Sequence, residues 1–286
     1  MKFKNIILSL ILASGIIFAQ DKNPSDKITW HVINWPPFMS IKDGKKSGEY
    51  AQLLNLINEE LPQYEHHHKL MSWARVWHEI KYKRNTCNIF AFKNKEREKF
   101  ATFSVPFSIF SSNHIIMKKE KAELLGIDNT KPYSFNKFLE LTTIKGILDK
   151  SRSYSSKIDT ILKNKQAKSN FKQEPFTAER LLTLLDMGRI DYILEYPSVV
   201  NNLKKKNELK GEFVFIQIKE IDPFTWGYIA CPKNKWGEKL IGHLNQIILD
   251  NKEKKEYRKI IEMMTSSDRE LALLRKIYPE FVNARK

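Results

Sequence analysis

The stretch KNKEREKFATFSVPF, residues 93–107, joins a charged turn to an apolar segment and is the most informative part of this chain. The turn holds a single arginine, Arg97, whose guanidinium can offer two parallel N–H donors to a carboxylate or a phosphate. A surface ion pair with Glu96 or Glu98 is the alternative role for Arg97. Lys93, on the same turn, either adds a second positive charge or is simply solvated. The turn is therefore a candidate anion-binding site.

Upstream of this turn, the hydrophobic pattern changes between the periods of strands and of helices. The pattern predicts strands at 28–33, 64–70 and 88–92, separated by helices at 50–61 and 72–82. Such an alternation of strands and helices is a βαβ series. Because βαβ crossovers place helices on the faces of a sheet, this half of the chain predicts a parallel sheet that is covered on both sides.

The same kind of pattern restarts after residue 110. It predicts strands at 114–117, 141–148, 192–196, 213–218 and 225–230, and helices at 155–162 and 176–185. Thr177 and Gly188 are the candidate N-cap and stop of the second of these helices. Everything from residue 236 to residue 278 has a helical composition. A chain of 286 residues, with 42% hydrophobic residues and 17 phenylalanines, is large enough to form two cores.

Residues 93–107 resemble the signature of a bacterial protein family, the extracellular solute-binding proteins of the polar amino-acid uptake class, family 3. In that signature a TxxR turn is followed by FSxPY, and the arginine binds an anionic group of the ligand. Arg97 stands six residues before Phe103, as in the family. Phe107 takes the place of the tyrosine, and Asn94 takes the place of the threonine. The resemblance extends from residue 28 to about residue 265.

The resemblance implies an α/β fold of the periplasmic-binding-protein-like type II class. Such a fold has two lobes, each with a mainly parallel sheet flanked by helices, and two crossover strands join the lobes. On this basis lobe 1 comprises residues 28–110 and about 225–286, and lobe 2 comprises about 111–224. The ligand is expected in the cleft between the lobes, since ligands bind outside the carboxyl ends of parallel strands.

The first nineteen residues have the features of a secretory signal peptide. Lys2 and Lys4 precede an apolar run, residues 6–18, which is followed by the small residue Ala19. The alternatives are a buried helix or a membrane anchor, but the run is shorter than the ~20 apolar residues that span a bilayer. We therefore expect residues 1–19 to be a cleaved signal peptide and the protein to be periplasmic.

The resemblance assigns ligand contacts to both lobes. Trp35 lies where the family has an aromatic residue that stacks on the ligand, although packing of the strand end against the first helix is an equal alternative. Ser151, Arg152, Ser153 and Tyr154 follow a predicted strand and open a helix, where the family presents backbone N–H groups to an anion. Arg152 is expected to deepen the positive field there. The alternative is an ordinary serine-capped helix.

Several positions depart from the pattern of amino-acid binders. Tyr196 stands where the family has an aspartate that takes the ligand's ammonium, and Glu195 is expected to face the other way by strand alternation. Phe90 and Phe92 replace small, serine-type residues. Tyr196 and Phe92 are nevertheless candidate ligand contacts. Because the set that recognises a zwitterion is incomplete, we expect an anionic, partly apolar or aromatic solute to bind better than an α-amino acid.

A closer resemblance concerns the sequence SWARVWHE, residues 72–79. Together with Cys87 it is similar to a subgroup of these exported proteins in which a tryptophan–arginine pair and two cysteines recur. Trp73 and Arg75 are expected to reach the cleft, whereas the second tryptophan of this helix is expected in the core. Because the family returns the chain to lobe 1 near Cys231, the resemblance also implies a Cys87–Cys231 disulfide.

No metal or cofactor is expected. His66 and His68 share one face of a predicted strand, but no third ligand has suitable spacing. The formal charge of +16 is spread over scattered lysines, which favours a solvated surface over an attraction to acidic ligands, lipids or polymers, and export disfavours nucleic acid.

These observations predict a monomeric periplasmic protein that binds a small-molecule ligand and delivers it to an ABC-type membrane permease. A ligand-sensing module for a membrane receptor is one alternative. An enzyme on the same fold is another, and Glu49 and Glu195 are its only acidic candidates, with nothing in the sequence that pairs them.

Overall fold

The structure, a computed structural model, describes residues 27–150, 152–165, 170–206 and 209–285. The predicted signal peptide, residues 1–19, and the candidate ligand contact Ser151 lie outside the described residues. Within the described part of the chain, no helix is both long and apolar enough to cross a membrane.

The described residues form strand–helix repeats that are interrupted by runs of consecutive strands or helices. The strands are β1 Lys27–Val32, β2 Ser40–Lys42, β3 Lys45–Ser47, β4 Glu65–Leu70, β5 Thr86–Ala91, β6 Ala101–Phe103, β7 Ser108–Ser111, β8 His114–Lys118, β9 Gly146–Asp149, β10 Phe171–Glu174, β11 Tyr192–Glu195, β12 Phe213–Gln217 and β13 Phe224–Pro232. The helices are α1 Glu49–Glu59, α2 Trp73–Tyr82, α3 Lys119–Leu124, α4 Phe135–Phe138, α5 Ser156–Lys165, α6 Ala178–Asp186, α7 Pro197–Lys205, α8 Lys235–Asn251, α9 Lys255–Glu262 and α10 Asp268–Asn283.

The first sheet has the strand order β4-β1-β5-β13-β6, and β7 also pairs with β13. β1 runs parallel to β4 and β5, as the βαβ pattern predicts. The return strand β13 runs antiparallel to β5, β6 and β7. The chain therefore closes the first sheet with a strand that comes more than a hundred residues later in the sequence.

The second sheet has the strand order β10-β9-β11-β8-β12. β9 runs parallel to β10 and β11, whereas β8 runs antiparallel to β11 and β12. The predicted α/β class with two lobes is confirmed. The structure adds that each sheet is mixed, because one strand by which the chain enters it from the other sheet, β13 in the first and β8 in the second, opposes the βαβ strands.

The chain passes between the two sheets twice. One passage runs between β7 and β8 through Ser112 and Asn113, and the other connects β12 to β13. On the basis of these passages we propose that residues 28–110 and about 225–286 form lobe 1 and that about 111–224 form lobe 2.

A disulfide joins the two segments of the first sheet. Cys87 of β5 is bonded to Cys231 of β13, and their Cα atoms lie 4.4 Å apart. Both cysteines are fully buried. The predicted pairing is confirmed, and the bond fixes the return strand to the centre of the sheet.

Local sequence patterns predicted the ends of α6 correctly but did not predict the short strands well. The Thr177 side chain accepts a hydrogen bond from the backbone N of Arg180 (3.3 Å), and Gly188 has a φ of 67°, so both predicted ends of α6 are confirmed. β9 is shorter than the predicted strand at 141–148, because residues 142 and 143 form a turn. β10 was not predicted, since its sequence FKQE contains a single apolar residue.

The helical tail packs on the first sheet. Leu244 of α8 and Leu274 of α10 are fully buried in its core. At the end of α8, the ammonium of Lys252 donates to the backbone O of Phe281 (2.9 Å), which attaches α10 to α8.

Candidate ligand-binding site

Side chains from both sheets meet around one nearly closed space, which we call the interlobe site. The space has a volume of about 10 Å³, roughly that of a single water probe. The first-sheet side contributes Trp35, Trp73, Phe90, Phe92 and Arg97, and the second-sheet side contributes Arg152, Ser153 and Tyr196.

Sheet topology explains why these residues meet. Trp35 follows β1 and Arg97 follows β5, and these are parallel strands of the first sheet. Ser153 follows β9 and Tyr196 follows β11, which are parallel strands of the second sheet. The loops after parallel strands gather at one edge of a sheet. The two edges therefore face each other across the interlobe site.

Trp35 lies at the centre of the aromatic lining. Its ring meets Trp73 (5.6 Å between ring centroids) and Phe90 (5.9 Å) on its own side, both nearly edge to face. It also meets Tyr196 at 5.2 Å from the other side. Tyr196 is fully buried, and its hydroxyl accepts a hydrogen bond from the Asn113 amide (3.2 Å). Trp35 therefore both lines the site and packs the two sides together.

Arg97 is half-buried on a 3-10 turn, Arg97–Lys99. Its Nη1 donates to the backbone O of Phe92 (2.9 Å), and its guanidinium lies 3.9 Å from the centroid of the Trp77 ring. Burial lowers the pKa of Arg97 to about 10, and the charge of Asp159 partly offsets this effect. Among the described residues, no carboxylate oxygen lies within 4.0 Å of this guanidinium.

The neighbouring acids are engaged elsewhere, so the surface ion pair considered for Arg97 is not formed. Glu96 pairs with Lys99 at 2.7 Å, and Glu98 pairs with Lys93 at 3.4 Å. Lys93 is therefore an ion-pair partner of Glu98, on the same turn as Arg97.

Helix α2 presents its two tryptophans and its arginine differently. Trp73 and Trp77 are four residues apart, so they share a face, and that face turns to the site. Trp77 was expected in the core, but it is half-buried beneath Arg97. Arg75 lies two residues after Trp73, and its side chain is 63% exposed and 3.7 Å from Glu79. The structure therefore does not bring Arg75 to the interlobe site.

Arg152 is enclosed by partners from several segments. Its Nη1 donates to Glu195 Oε2 (2.8 Å) and its Nη2 donates to Asn113 Oδ1 (3.1 Å). The guanidinium also lies 5.0 Å from the Tyr154 ring, 5.2 Å from the Tyr196 ring and 5.7 Å from the Trp35 ring. Burial would lower its pKa, but Glu195 and the two tyrosines outweigh burial and raise the pKa.

Two expectations for this region were wrong. Arg152 does not deepen a positive field, because Glu195 neutralises it at 2.8 Å. Glu195 does not face away from Tyr196, because both side chains contact the same guanidinium. The physical reason is that β11 ends at Glu195 and Tyr196 is already the N-cap of α7, so strand alternation no longer applies.

The start of α5 is closed by a carboxylate of the chain itself. Asp159 accepts hydrogen bonds from the Ser153 hydroxyl (2.5 Å) and the backbone N of Tyr154 (2.9 Å). The Ser155 hydroxyl accepts from the backbone N of Ile158 (3.3 Å), as in a serine-capped helix. The Tyr154 hydroxyl accepts from the backbone N of Asp149 (2.8 Å). Two of the donors at this helix start, the Ser153 hydroxyl and the Tyr154 backbone N–H, are therefore already engaged by Asp159.

Asp159 and Asn113 were not predicted as site residues, and Glu195 was named only as an acidic candidate of the enzyme alternative and as facing away from Tyr196. Asp159 is on the first turn of α5, where a carboxylate is common, so its sequence carried no specific signal. Asn113 lies in the passage between the sheets, and its partners, Arg152 and Tyr196, are distant in sequence.

The remaining acidic candidate lies in the first turn of α1. Glu49 is buried, and burial raises its pKa. Glu195 is bound to Arg152. In the described ranges, no group of three His, Cys, Asp or Glu side chains could hold a metal ion. His66 Nδ1 instead accepts from the Trp30 indole (3.0 Å).

A larger cavity adjoins the interlobe site through shared residues. Its volume is about 510 Å³, and Phe92 and Ser153 line both spaces. Trp226 and Tyr228 of β13 and Ile277 of α10 form part of its wall. Ligand pockets in proteins typically measure ~300–1,000 Å³, so this cavity has the size of a small-molecule site.

The chain belongs to the bacterial extracellular solute-binding proteins, family 3, whose family model matches residues 29–265. The members of this family are binding proteins and act outside the cytoplasm, as the family's description states. No curated protein sequence matches the chain.

Solved structures with the same fold are numerous. One is the substrate-binding protein AbpA of an amino acid ABC transporter from Streptococcus pneumoniae, bound to L-arginine. It has a TM-score of 0.64 and 21% identity, over 84% of this chain and 94% of that one. The solute receptor for L-cysteine from Neisseria gonorrhoeae has a TM-score of 0.64 and 16% identity, over 90% and 95%. A histidine kinase sensor domain with similarity to periplasmic binding proteins has a TM-score of 0.65 and 17% identity, over 86% and 98%.

Proposed function

We propose that this protein is a monomeric periplasmic solute-binding protein, exported by residues 1–19, that captures a small anionic solute between its lobes and delivers it to an ABC-type permease. The family and the fold support the binding function. The chemistry of the interlobe site supports the anionic solute.

The observation that carries the proposal is the state of Arg97. Its guanidinium is held in place by the backbone O of Phe92 and by the Trp77 ring. No carboxylate of the described chain pairs with it. A partly buried cation without a counter-ion is costly, and a ligand carboxylate that accepts two of its N–H donors removes that cost.

The other lining residues define the body of the ligand. Trp35, Trp73, Phe90 and Phe92 offer apolar and aromatic surfaces. The carboxylate that could hold an ammonium, Glu195, is bound to Arg152. These surfaces favour a ligand with one anionic group and a flat or apolar body, and they disfavour an α-amino acid.

A thermal-shift screen tests the ligand class. The twenty amino acids are compared with monocarboxylates, dicarboxylates, aromatic acids and short peptides. We expect stabilisation by carboxylates with an apolar or aromatic body. An α-amino acid that binds with micromolar affinity would contradict the proposed class.

Arg97→Ala tests the role of the guanidinium. Its affinity for the best carboxylate from the screen, measured by calorimetry, is expected to fall by ~2–5 kcal/mol, because the ligand charge is left unpaired. Arg75→Ala is the matched control, since that arginine is exposed and pairs with Glu79. Equal affinity of the wild type and the Arg97 variant would overturn the assignment.

A sensory role is the second candidate, because one similar structure is the sensor domain of a histidine kinase. A strain that lacks this protein separates the two. Loss of uptake of the labelled carboxylate supports delivery to a permease. Unchanged uptake with an altered transcriptional response to that carboxylate supports a receptor.

A further inference from the structure

The ion pair of Arg152 with Glu195 is one part of a larger arrangement around the Arg152 guanidinium. Its side chain is only 9% exposed and lies among the rings of Trp35, Tyr154 and Tyr196. Trp35 follows a strand of the first sheet, whereas Tyr154 and Tyr196 follow strands of the second sheet. The rings thus enclose a cation from both sides of the interlobe site.

The arrangement has the chemistry of a cation-binding cage. Aromatic faces within about 6 Å of a guanidinium attract it, and the attraction grows when water is excluded. A carboxylate opposite the rings provides the counter-charge, and Glu195 Oε2 lies 2.8 Å from Nη1. Asn113 Oδ1 accepts from Nη2 at 3.1 Å. Cage, counter-ion and amide are the groups that a bound guanidinium or ammonium would require.

We propose that Arg152 is a specificity-determining residue, which fills this cage from within and thereby excludes solutes that carry a cationic group. The inference rests on the proposed solute-binding function and deepens it. Arg152 occupies the rings and also engages Glu195, the carboxylate that could meet an ammonium in this lining. Cationic and zwitterionic solutes are left without a partner, whereas Arg97 remains for an anion.

The alternative, that Arg152 only supports the fold, makes a different prediction. A purely structural arginine leaves no usable site when it is removed, because its surroundings collapse or fill with water. If Arg152 instead fills a binding cage, its removal leaves the rings and the carboxylate in place, and they can bind an external cation of the same shape. The two interpretations therefore differ in the response of an Arg152 variant to a small guanidinium compound.

The test compares Arg152→Ala with the wild type in the presence of methylguanidinium and of L-arginine. We expect at least a tenfold gain in affinity for both probes, measured by calorimetry, with a matching rise in melting temperature. Arg152→Lys, which keeps a cation in the cage, is expected to show no gain. The double variant Arg152→Ala/Glu195→Gln is expected to lose the gain, because the counter-ion is removed.

Any one of several outcomes would overturn the inference. The wild type could bind the two probes as tightly as the variant, the folded variant could show no gain, or the double variant could keep the gain. If Arg152→Ala does not fold alone, refolding is repeated with millimolar methylguanidinium, where recovery supports the inference and no recovery contradicts it. Carboxylate binding by the wild type through Arg97 is measured separately, so failure of either proposal is recognised independently.

Discussion

Arg97 and Arg152 are two arginines in loops that follow parallel strands, one on each side of the interlobe site. Both guanidiniums lie against aromatic rings, Arg97 on Trp77 and Arg152 among three rings. Arg152 has a carboxylate at 2.8 Å, but Arg97 has none among the described residues. The pKa of Arg152 is accordingly raised, and that of Arg97 is lowered to about 10.

This contrast shows that residue type and loop position do not decide the role of an arginine that is removed from solvent. The role of each arginine depends on whether its guanidinium has a carboxylate partner. A neutralised guanidinium stabilises its surroundings only as long as both charges remain, whereas an unpaired guanidinium is available to a ligand. We therefore expect the Arg152–Glu195 pair to contribute to the stability of the fold and Arg97 to contribute to anion binding.

The largest expected effect concerns the sheet that carries Arg97, since it alone has the disulfide. Cys87→Ala/Cys231→Ala opens a loop that spans 144 residues. The free energy of unfolding is expected to fall by up to roughly 5 kcal/mol in the chain-entropy model. Hydrogen exchange should accelerate in β5 and β13 and stay unchanged in β9 and β11. A reductant should destabilise the wild type but not the variant; a wild-type melting temperature that ignores reductant would contradict the prediction.

The next effect concerns the charge pair of the second sheet. Glu195→Gln leaves the guanidinium of Arg152 buried without a counter-charge, which should cost about 3–5 kcal/mol of unfolding free energy, measured with urea. Glu212→Gln breaks an exposed pair with Lys119 (3.3 Å) and should cost less than about 1 kcal/mol. Similar losses of unfolding free energy in the two variants would contradict a structural role for the buried Arg152–Glu195 pair.

Acid sensitivity compares the sheets through one imidazole in each, the buried His31 in β1 and the half-buried His114 in β8. Burial lowers the pKa of His31 from 6.5 to about 4, and it also lowers the pKa of His114. Between the folded and unfolded pKa values, each imidazole is therefore protonated in the unfolded chain and neutral in the folded chain. The stability that depends on neutral His31 is complete above pH 6.5 and is lost as the pH falls towards 4, by roughly 2–4 kcal/mol.

His31→Gln should remove this part of the pH dependence. Its difference in unfolding free energy from the wild type is expected to be constant above pH 7.5 and to shrink or reverse on acidification. A difference that does not change between pH 7.5 and pH 4.5 would show that His31 is not responsible. His114→Gln should change the profile in the same direction.

The smallest expected effect is that of Arg97 on the ligand-free protein. Arg97→Met keeps an apolar stem over Trp77 and breaks no ion pair, so unfolding free energy should change by less than about 1 kcal/mol. Thermal melts without ligand check this. A loss as large as that of Glu195→Gln would place Arg97 with the structural arginines.

Local sequence order was sufficient for much of the fold. The periods of β1, α1, β4, α2 and β5 predicted these elements closely, because strand and helix periods require only neighbouring residues. The FSVPF segment and the spacing to Arg97 pointed to the two-lobed family, and that resemblance implied the Cys87–Cys231 bond. Short strands such as β10, with one apolar residue in four, left no periodic signal.

The electrostatics of the interlobe site needed the packed chain. Arg152 and Glu195 are 43 residues apart, and their contact exists because β9 and β11 are neighbours in one sheet. Glu195 contacts Arg152 from the last position of β11, and Asp159 contacts Ser153 from the first turn of α5, which directly follows that loop. The sequence alone was sufficient to place Arg97 in the turn after β5, since that followed from local spacing. Whether each guanidinium has a carboxylate partner is decided by long-range packing, which no local sequence pattern encodes.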